Sequence, residues 1–196
     1  MLTKTLFKSH RSTLKLARQD KRSLNVVITG GTKGLGKSLA AEFAKQGDQV
    51  HVISRGHEFD LHTHPNIMYF KCDISNPENF QTVLPIVQYS FLLPEVDILI
   101  NNAGQSGGCR HLEHVSVSKI QNIVDTNLLG SILACKLLYP IMKTQSTGGA
   151  IFNLTGAGSD GGGTPNYAVY GATNTNQRRA LPVLEKCITI NGLKIC

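Results

Sequence analysis

Residues 24–41 read LNVVITGGTKGLGKSLAA, and two phosphate-binding patterns overlap in them. Gly31 to Ser38 spell G-x-x-x-x-G-K-[ST], the turn of ATP- and GTP-binding proteins. Thr29 to Gly36 spell T-G-x-x-x-G-x-G, a glycine-rich turn that holds a dinucleotide. Both rest on the same physics. Glycines let the backbone approach a phosphate, and the following helix offers free N–H groups and the positive end of its dipole. The chemistry differs: phosphoryl transfer in one case, hydride transfer in the other.

The flanking sequence sets the fold class. NVVIT (25–29) is dense in β-branched residues and reads as a buried strand. Gly34 to Gln46 has helical spacing through Leu35, Leu39, Ala40 and Phe43, and stops at Gly47. QVHVIS (49–54), NIMYFKC (66–72), VDILIN (96–101) and GAIFNL (149–154) read as four further strands. Between them, Asn76-Pro77 open a helix to about Phe91, with a kink expected at Pro85. Ser116 to Met142 reads as one long helix, and another spans Tyr167–Leu181 until Pro182. Strands alternating with helices predict an α/β protein with a Rossmann-like, doubly wound parallel sheet. Such sheets bind ligands beyond the carboxyl ends of their strands, where the glycine turn lies.

Composition narrows the classes. The chain has 196 residues, enough for one sizeable domain, and 41% hydrophobic residues, ordinary for a globular protein. No apolar run approaches the ~18–20 residues of a spanning helix. The five cysteines form no C-x-x-C pair, so neither a metal site nor a disulfide framework is indicated, and a reducing compartment is the simplest reading. The net charge of +7 is concentrated at the ends: residues 1–24 carry +6, residues 25–174 carry −2, and residues 175–196 carry +3. A slightly acidic body argues against a nucleic-acid groove. Residues 1–24 read as a basic N-terminal arm or an organellar transit-like segment, followed by a nucleotide-binding domain over 25–196.

The two phosphate patterns differ in what must follow. The NTPase turn needs an acid at a strand end to hold Mg²⁺. Asp97 begins its strand, but Asp73 in KCDIS ends one, so this test alone leaves that reading open. Further motifs favour the dinucleotide. NNAG (101–104) follows the fourth strand, Asp73 the third, Asn127 lies within a helix, and Tyr170 follows the fifth strand. In this order with the T-G-x-x-x-G-x-G turn, they resemble the short-chain dehydrogenase/reductase superfamily.

That resemblance implies a cofactor held by Thr29, Gly30, Thr32, Lys33, Gly34, Leu35 and Gly36 of the turn. It also implies Asp73 and Ile74 at the adenine, and Asn101, Ala103 and Gly104 near the ribose. The usual NAD marker is an acid ending the second strand; here Ser54-Arg55 stand there. Arg55 and Lys33 would complement a 2′-phosphate, so NADP(H) is the expected cofactor and no metal is expected.

The resemblance makes Tyr170 the proton donor to a carbonyl, Asn127 the anchor of a relay water, and Ser159 the substrate-orienting hydroxyl. The family serine would fall at Ala157, so Ser159 serves only if the loop is shifted. The family also supplies a lysine four residues after the tyrosine, which lowers the phenol pKa from ~10. Here that residue is Asn174.

The run 130–173, with FNLTGAGS followed by TPNYAVYG, looks like the chlorophyll b reductase (non-yellow-colouring) branch. That likeness implies NADPH-dependent reduction of a formyl group to hydroxymethyl at chloroplast thylakoids, a chlorophyll-type small-molecule substrate, and a homo-oligomer or paralogue as partner. After Thr173 the match breaks. Family members run to roughly 250 residues, so a truncated or divergent tail over 174–196, incomplete C-terminal strands and marginal stability are expected. ITINGLKI (188–195) alternates like a strand but arrives early. Two other functions remain open: a non-catalytic nucleotide-binding module, supported by Asn174, and a P-loop NTPase, supported by Gly31–Ser38.

Overall fold

The computed structural model describes residues 22–56, 64–90, 95–146, 148–154, 156, 164–180, 188–190 and 193–195. Strands β1 (Asn25–Thr29), β2 (Gln49–Ser54), β3 (Ile67–Lys71), β4 (Ile98–Asn101) and β5 (Ala150–Asn153) pair in parallel in the order β3-β2-β1-β4-β5. The helices are α1 (Gly34–Lys45), α2 (Pro77–Ser90), α3 (Val117–Val124), α4 (Gly130–Thr144) and α5 (Ala168–Ala180). The fold is the expected Rossmann-like one, with helices on both faces of a parallel sheet.

The alternation within β1 shows why its sequence is apolar throughout. Val26 and Ile28 pack with Leu39 and Phe43 of α1, whereas Val27 faces the cluster built on Leu138 and Met142 of α4. A strand covered on both faces has no position left for a solvated side chain. The order reverses at β1, since β2 lies to one side and β4 to the other. The crevice beyond those carboxyl ends is where such sheets bind ligands.

Three features differ from the sequence-based reading. The helix expected over 116–142 is interrupted by a π turn at Asp125–Leu129, between α3 and α4. The i,i+3/i,i+4 apolar pattern does not reveal one extra residue in a helical turn. ITINGLKI forms two short strands, β6 (Ile188–Ile190) and β7 (Leu193–Ile195), rather than one. They pair antiparallel, and β7 also pairs antiparallel with β5 at Ala150 and Ile151, so part of that sheet edge is covered. Finally, the folded body begins before Asn25. Leu24 is buried, and Arg22 bridges Glu95 at 2.9 Å and Asp97 at 2.6 Å. Residues 1–21, most of the basic arm, lie outside the described residues.

His51, in the middle of β2, is buried and stacked on Phe70 with ring centroids 5.8 Å apart. Burial lowers its pKa to about 4 from 6.5. A base depressed in the folded state is protonated first in the unfolded chain, so its contribution to stability is present above pH 6.5. It is lost as the pH falls from there towards 4. The expected cost is about 2 kcal/mol between pH 7 and pH 5. Urea unfolding of the wild type and His51→Leu across that range checks this. The leucine variant should lack this component, and parallel profiles would rule it out.

Candidate active site

The glycine turn is held by the NNAG segment beyond β4. Thr29 is buried, and its hydroxyl accepts hydrogen bonds from the Asn102 and Ala103 backbone N–H groups, both at 3.2 Å. The Asn102 side-chain amide donates back to the Thr29 and Gly30 carbonyls at 3.1 and 2.9 Å. Gly30 has φ +67°, and its N–H donates to the Ile53 carbonyl at 2.7 Å. A Cβ there would lie 2.8 Å from Ala103 Cα, so glycine is required both for backbone conformation and for the close approach. Gly36, in the first turn of α1, sits against Asn102 Nδ2 and the Gly30 carbonyl. No side chain caps the N-terminus of α1, which leaves its amides available to an anion.

A cavity of about 570 Å³ opens over this turn. Of the predicted cofactor residues, Gly30, Thr32, Lys33, Gly34, Arg55, Asp73, Ile74, Ala103 and Gly104 line it. Thr29 and Gly36 lie behind it as braces, and Leu35 is an exposed residue of α1 outside it. Asn101 is buried beneath the crevice and donates to Asn153 Oδ1 at 2.8 Å. The residue of the pair that reaches the cavity is Asn102. Strand alternation decides which asparagine points inward, and the strand end was not legible to the residue.

The cavity wall also includes Ser54, Cys72 and Thr126. Ser54 shares a 2.8 Å hydrogen bond with the Thr32 hydroxyl, tying the end of β2 to the turn. Thr126 is delivered by the π turn, and nothing in the sequence signalled it. Burial, with Asp73 adding its charge, pushes the Cys72 thiol up to about 11, so it stays protonated at neutral pH. Asp73 Oδ1 accepts from the Ser75 N–H at 3.0 Å and hydroxyl at 2.6 Å, and Oδ2 stands 3.9 Å from Arg55.

The residues that support the NTPase pattern are elsewhere. Lys37 and Ser38 are exposed on α1, and the Ser38 hydroxyl returns to the Gly34 carbonyl at 3.3 Å. Neither lines the cavity. Among the described residues, no group of three or more His, Cys, Asp or Glu could hold a metal ion.

Tyr170 stands on the first turn of α5, half-buried, with its hydroxyl against Gly156 and its ring edge-on to Tyr167 at 6.2 Å. It lines a narrow cleft with Ser106, Gly107, Arg110 and Ile123. Asn127 is buried within the π turn. Its Oδ1 accepts the Gln105 N–H at 2.7 Å, and its Nδ2 donates to the Gln105 carbonyl at 3.0 Å and the Thr173 hydroxyl at 3.1 Å. The Thr173 hydroxyl donates to the Tyr170 carbonyl at 2.8 Å. Asn127 thus joins the segment after β4 to the helix bearing Tyr170, with both amide hydrogens engaged by protein. Its expected role as a water anchor therefore cannot use those two hydrogens. Asn174 is buried, one turn beyond Tyr170, and its Nδ2 has no hydrogen-bond partner among the described residues. Ser159 lies outside the described residues, as does Ala157.

Known proteins share this architecture. The family model for short chain dehydrogenase matches residues 24–177. The chain is 38% identical over 179 residues to probable chlorophyll(ide) b reductase NYC1, chloroplastic, of Oryza sativa subsp. japonica, covering 79% of this chain and 35% of that protein. It is 40% identical over 162 residues to chlorophyll(ide) b reductase NOL, chloroplastic, of Arabidopsis thaliana, covering 76% and 45%. The chain therefore spans less than half the length of these curated relatives. Among solved structures it is similar to ElxO with NADP bound (28% identity, TM-score 0.72, 81% of this chain and 65% of that one). It is also similar to serine dehydrogenase from Escherichia coli (25% identity, TM-score 0.71, 80% and 73%). The crevice, its glycine turn and the ordered motifs lead to one assignment: the chain belongs to the short-chain dehydrogenase family of nicotinamide-dependent oxidoreductases.

Proposed function

We propose that this chain binds NADP(H) and belongs to a reductase that converts the formyl group of a chlorophyll b-type tetrapyrrole to hydroxymethyl. The observation that carries the cofactor choice is the pair of cations, Lys33 and Arg55, lining the crevice, with Ser54-Arg55 where NAD enzymes carry an acid. The substrate choice is supported by the likeness to the two chlorophyll(ide) b reductases. The same likeness supports a chloroplast location with peripheral thylakoid association, and a homo-oligomer or paralogue as partner.

The protein's own groups have distinct tasks in this reading. Backbone N–H groups of the turn and α1 hold the pyrophosphate, Asp73 and Ile74 receive the adenine, and Arg55 forks onto the 2′-phosphate. When bound, the reduced cofactor supplies hydride to the formyl carbon. Tyr170 gives its phenolic proton to the carbonyl oxygen, so the product is an alcohol. Ser159 orients the carbonyl.

A second reading is favoured by Asn174, buried one turn beyond Tyr170 where the family carries a lysine. In it, the chain is a non-catalytic nucleotide-binding module that pairs with a complete paralogue. Equilibrium titration tests the cofactor reading before any turnover is needed. The wild type should prefer NADPH to NADH by at least about tenfold and show no ATP binding. Arg55→Ala should erase that preference while leaving NADH affinity within about twofold. Equal affinity for the two reduced cofactors in the wild type would sink it.

A further inference from the structure

A second cavity, of about 480 Å³, adjoins the nucleotide crevice across the Arg55–Asp73 pair. Arg55, Cys72 and Asp73 line both spaces and so form their shared wall, whereas Lys71 lines only the second. Lys71 ends the edge strand β3 and is the Cα partner of Ser54, the residue before Arg55. Paired residues of neighbouring strands present their side chains to the same face of a sheet. The Ser54 hydroxyl bonds Thr32, so this is the face that carries the glycine turn. Lys33 and Arg55 line the nucleotide crevice, and Lys71 lies with Arg55 in the adjoining cavity, which Asn79, Thr82 and Val83 of α2 close on its other side.

Among the described residues, these three cations share one carboxylate, Asp73. Asp73 has Oδ1 engaged by Ser75, and its Oδ2 stands 3.9 Å from Arg55, beyond direct hydrogen-bond distance. Lys71 has no ion-pair partner among the described residues. A planar guanidinium can take two oxygens of a phosphate, and an ammonium on a flexible stem suits the third. We propose that Lys71 is a second contact, acting with Arg55, for a phosphate at the adenosine 2′ position. It is thereby a determinant of NADPH over NADH. This rests on the NADP(H) reading above.

The experiment measures Kd of the whole chain for NADPH, NADH and adenosine 2′-monophosphate. Lys71→Ala should weaken NADPH and the monophosphate about fivefold and leave NADH within about twofold. Lys71→Arg should retain the wild-type NADPH affinity, and added salt should shrink the alanine effect. Lys71 is exposed, so the variants should fold. If the alanine variant does not, Lys71→Gln carries the comparison. Unchanged NADPH affinity in Lys71→Ala, alongside a loss in Arg55→Ala, overturns the role of Lys71 and leaves the NADP(H) reading standing. A wild type without preference for NADPH overturns both.

Discussion

Replacing Asn174 with lysine is expected to raise NADPH-dependent carbonyl reduction by about 10²-fold or more. The position lies four residues after Tyr170, one helical turn on and on the same face of α5. A phenol near pKa ~10 exchanges protons poorly at neutral pH, and a neighbouring ammonium favours its ionised form. Asn174 carries no charge and cannot supply that effect. The substitution has a cost, since Asn174 is only 3% exposed. An unpaired ammonium placed there is desolvated, so the cofactor-free variant should melt below the wild type. Bound NADPH should restore part of that loss, because it binds the folded state alone. Cofactor oxidation with a formyl-bearing tetrapyrrole reads the gain. Adding Tyr170→Phe to the lysine variant should return the rate to its starting level. A lysine variant that folds, binds NADPH and turns over no faster would favour the non-catalytic module.

Gly36→Val should reduce NADPH affinity by at least about 100-fold and destabilise the fold by about 1–3 kcal/mol. The added Cβ would meet Asn102 Nδ2 and stand 2.5 Å from the Gly30 carbonyl oxygen. Those atoms belong to the hydrogen bond that joins the turn to the end of β4. Either α1 shifts outward or Asn102 releases the turn, and both move the amides that face the crevice. Cofactor titration and thermal melts check the two parts together. The neighbouring Leu35→Ala is the control: Leu35 is 44% exposed and outside the cavity, so binding should stay within about twofold. A valine variant that binds NADPH normally would show that the turn tolerates a side chain at this contact.

Much of the lining of the candidate crevice was legible in sequence because its residues lie immediately beyond strand ends. Gly30, Lys33, Arg55, Asp73 and Ala103 each follow a run of β-branched or apolar residues, and parallel strands deliver such positions to one edge of the sheet. What failed was resolution to a single residue. Asn101 and Asn102 are adjacent and identical in chemistry, yet one is buried beneath the crevice and the other holds the turn. Thr126 reaches the crevice only because a π turn rotates the helix by one residue, an offset that apolar periodicity averages away.

The sequence by itself determined the fold class, the glycine turn and the asparagine four residues after Tyr170, because each depends on residue identity and short-range spacing. Tertiary structure decided between the overlapping phosphate patterns. In sequence, Lys37-Ser38 complete the NTPase pattern as well as Gly34 and Gly36 complete the other. In space, α1 carries Lys37 and Ser38 away from the crevice, while Asn102 locks the turn against β4. Tertiary structure also gave Asn127 its place, linking Gln105 to Thr173 across segments that are distant along the chain. Such links depend on packing of the whole sheet, which no local spacing encodes.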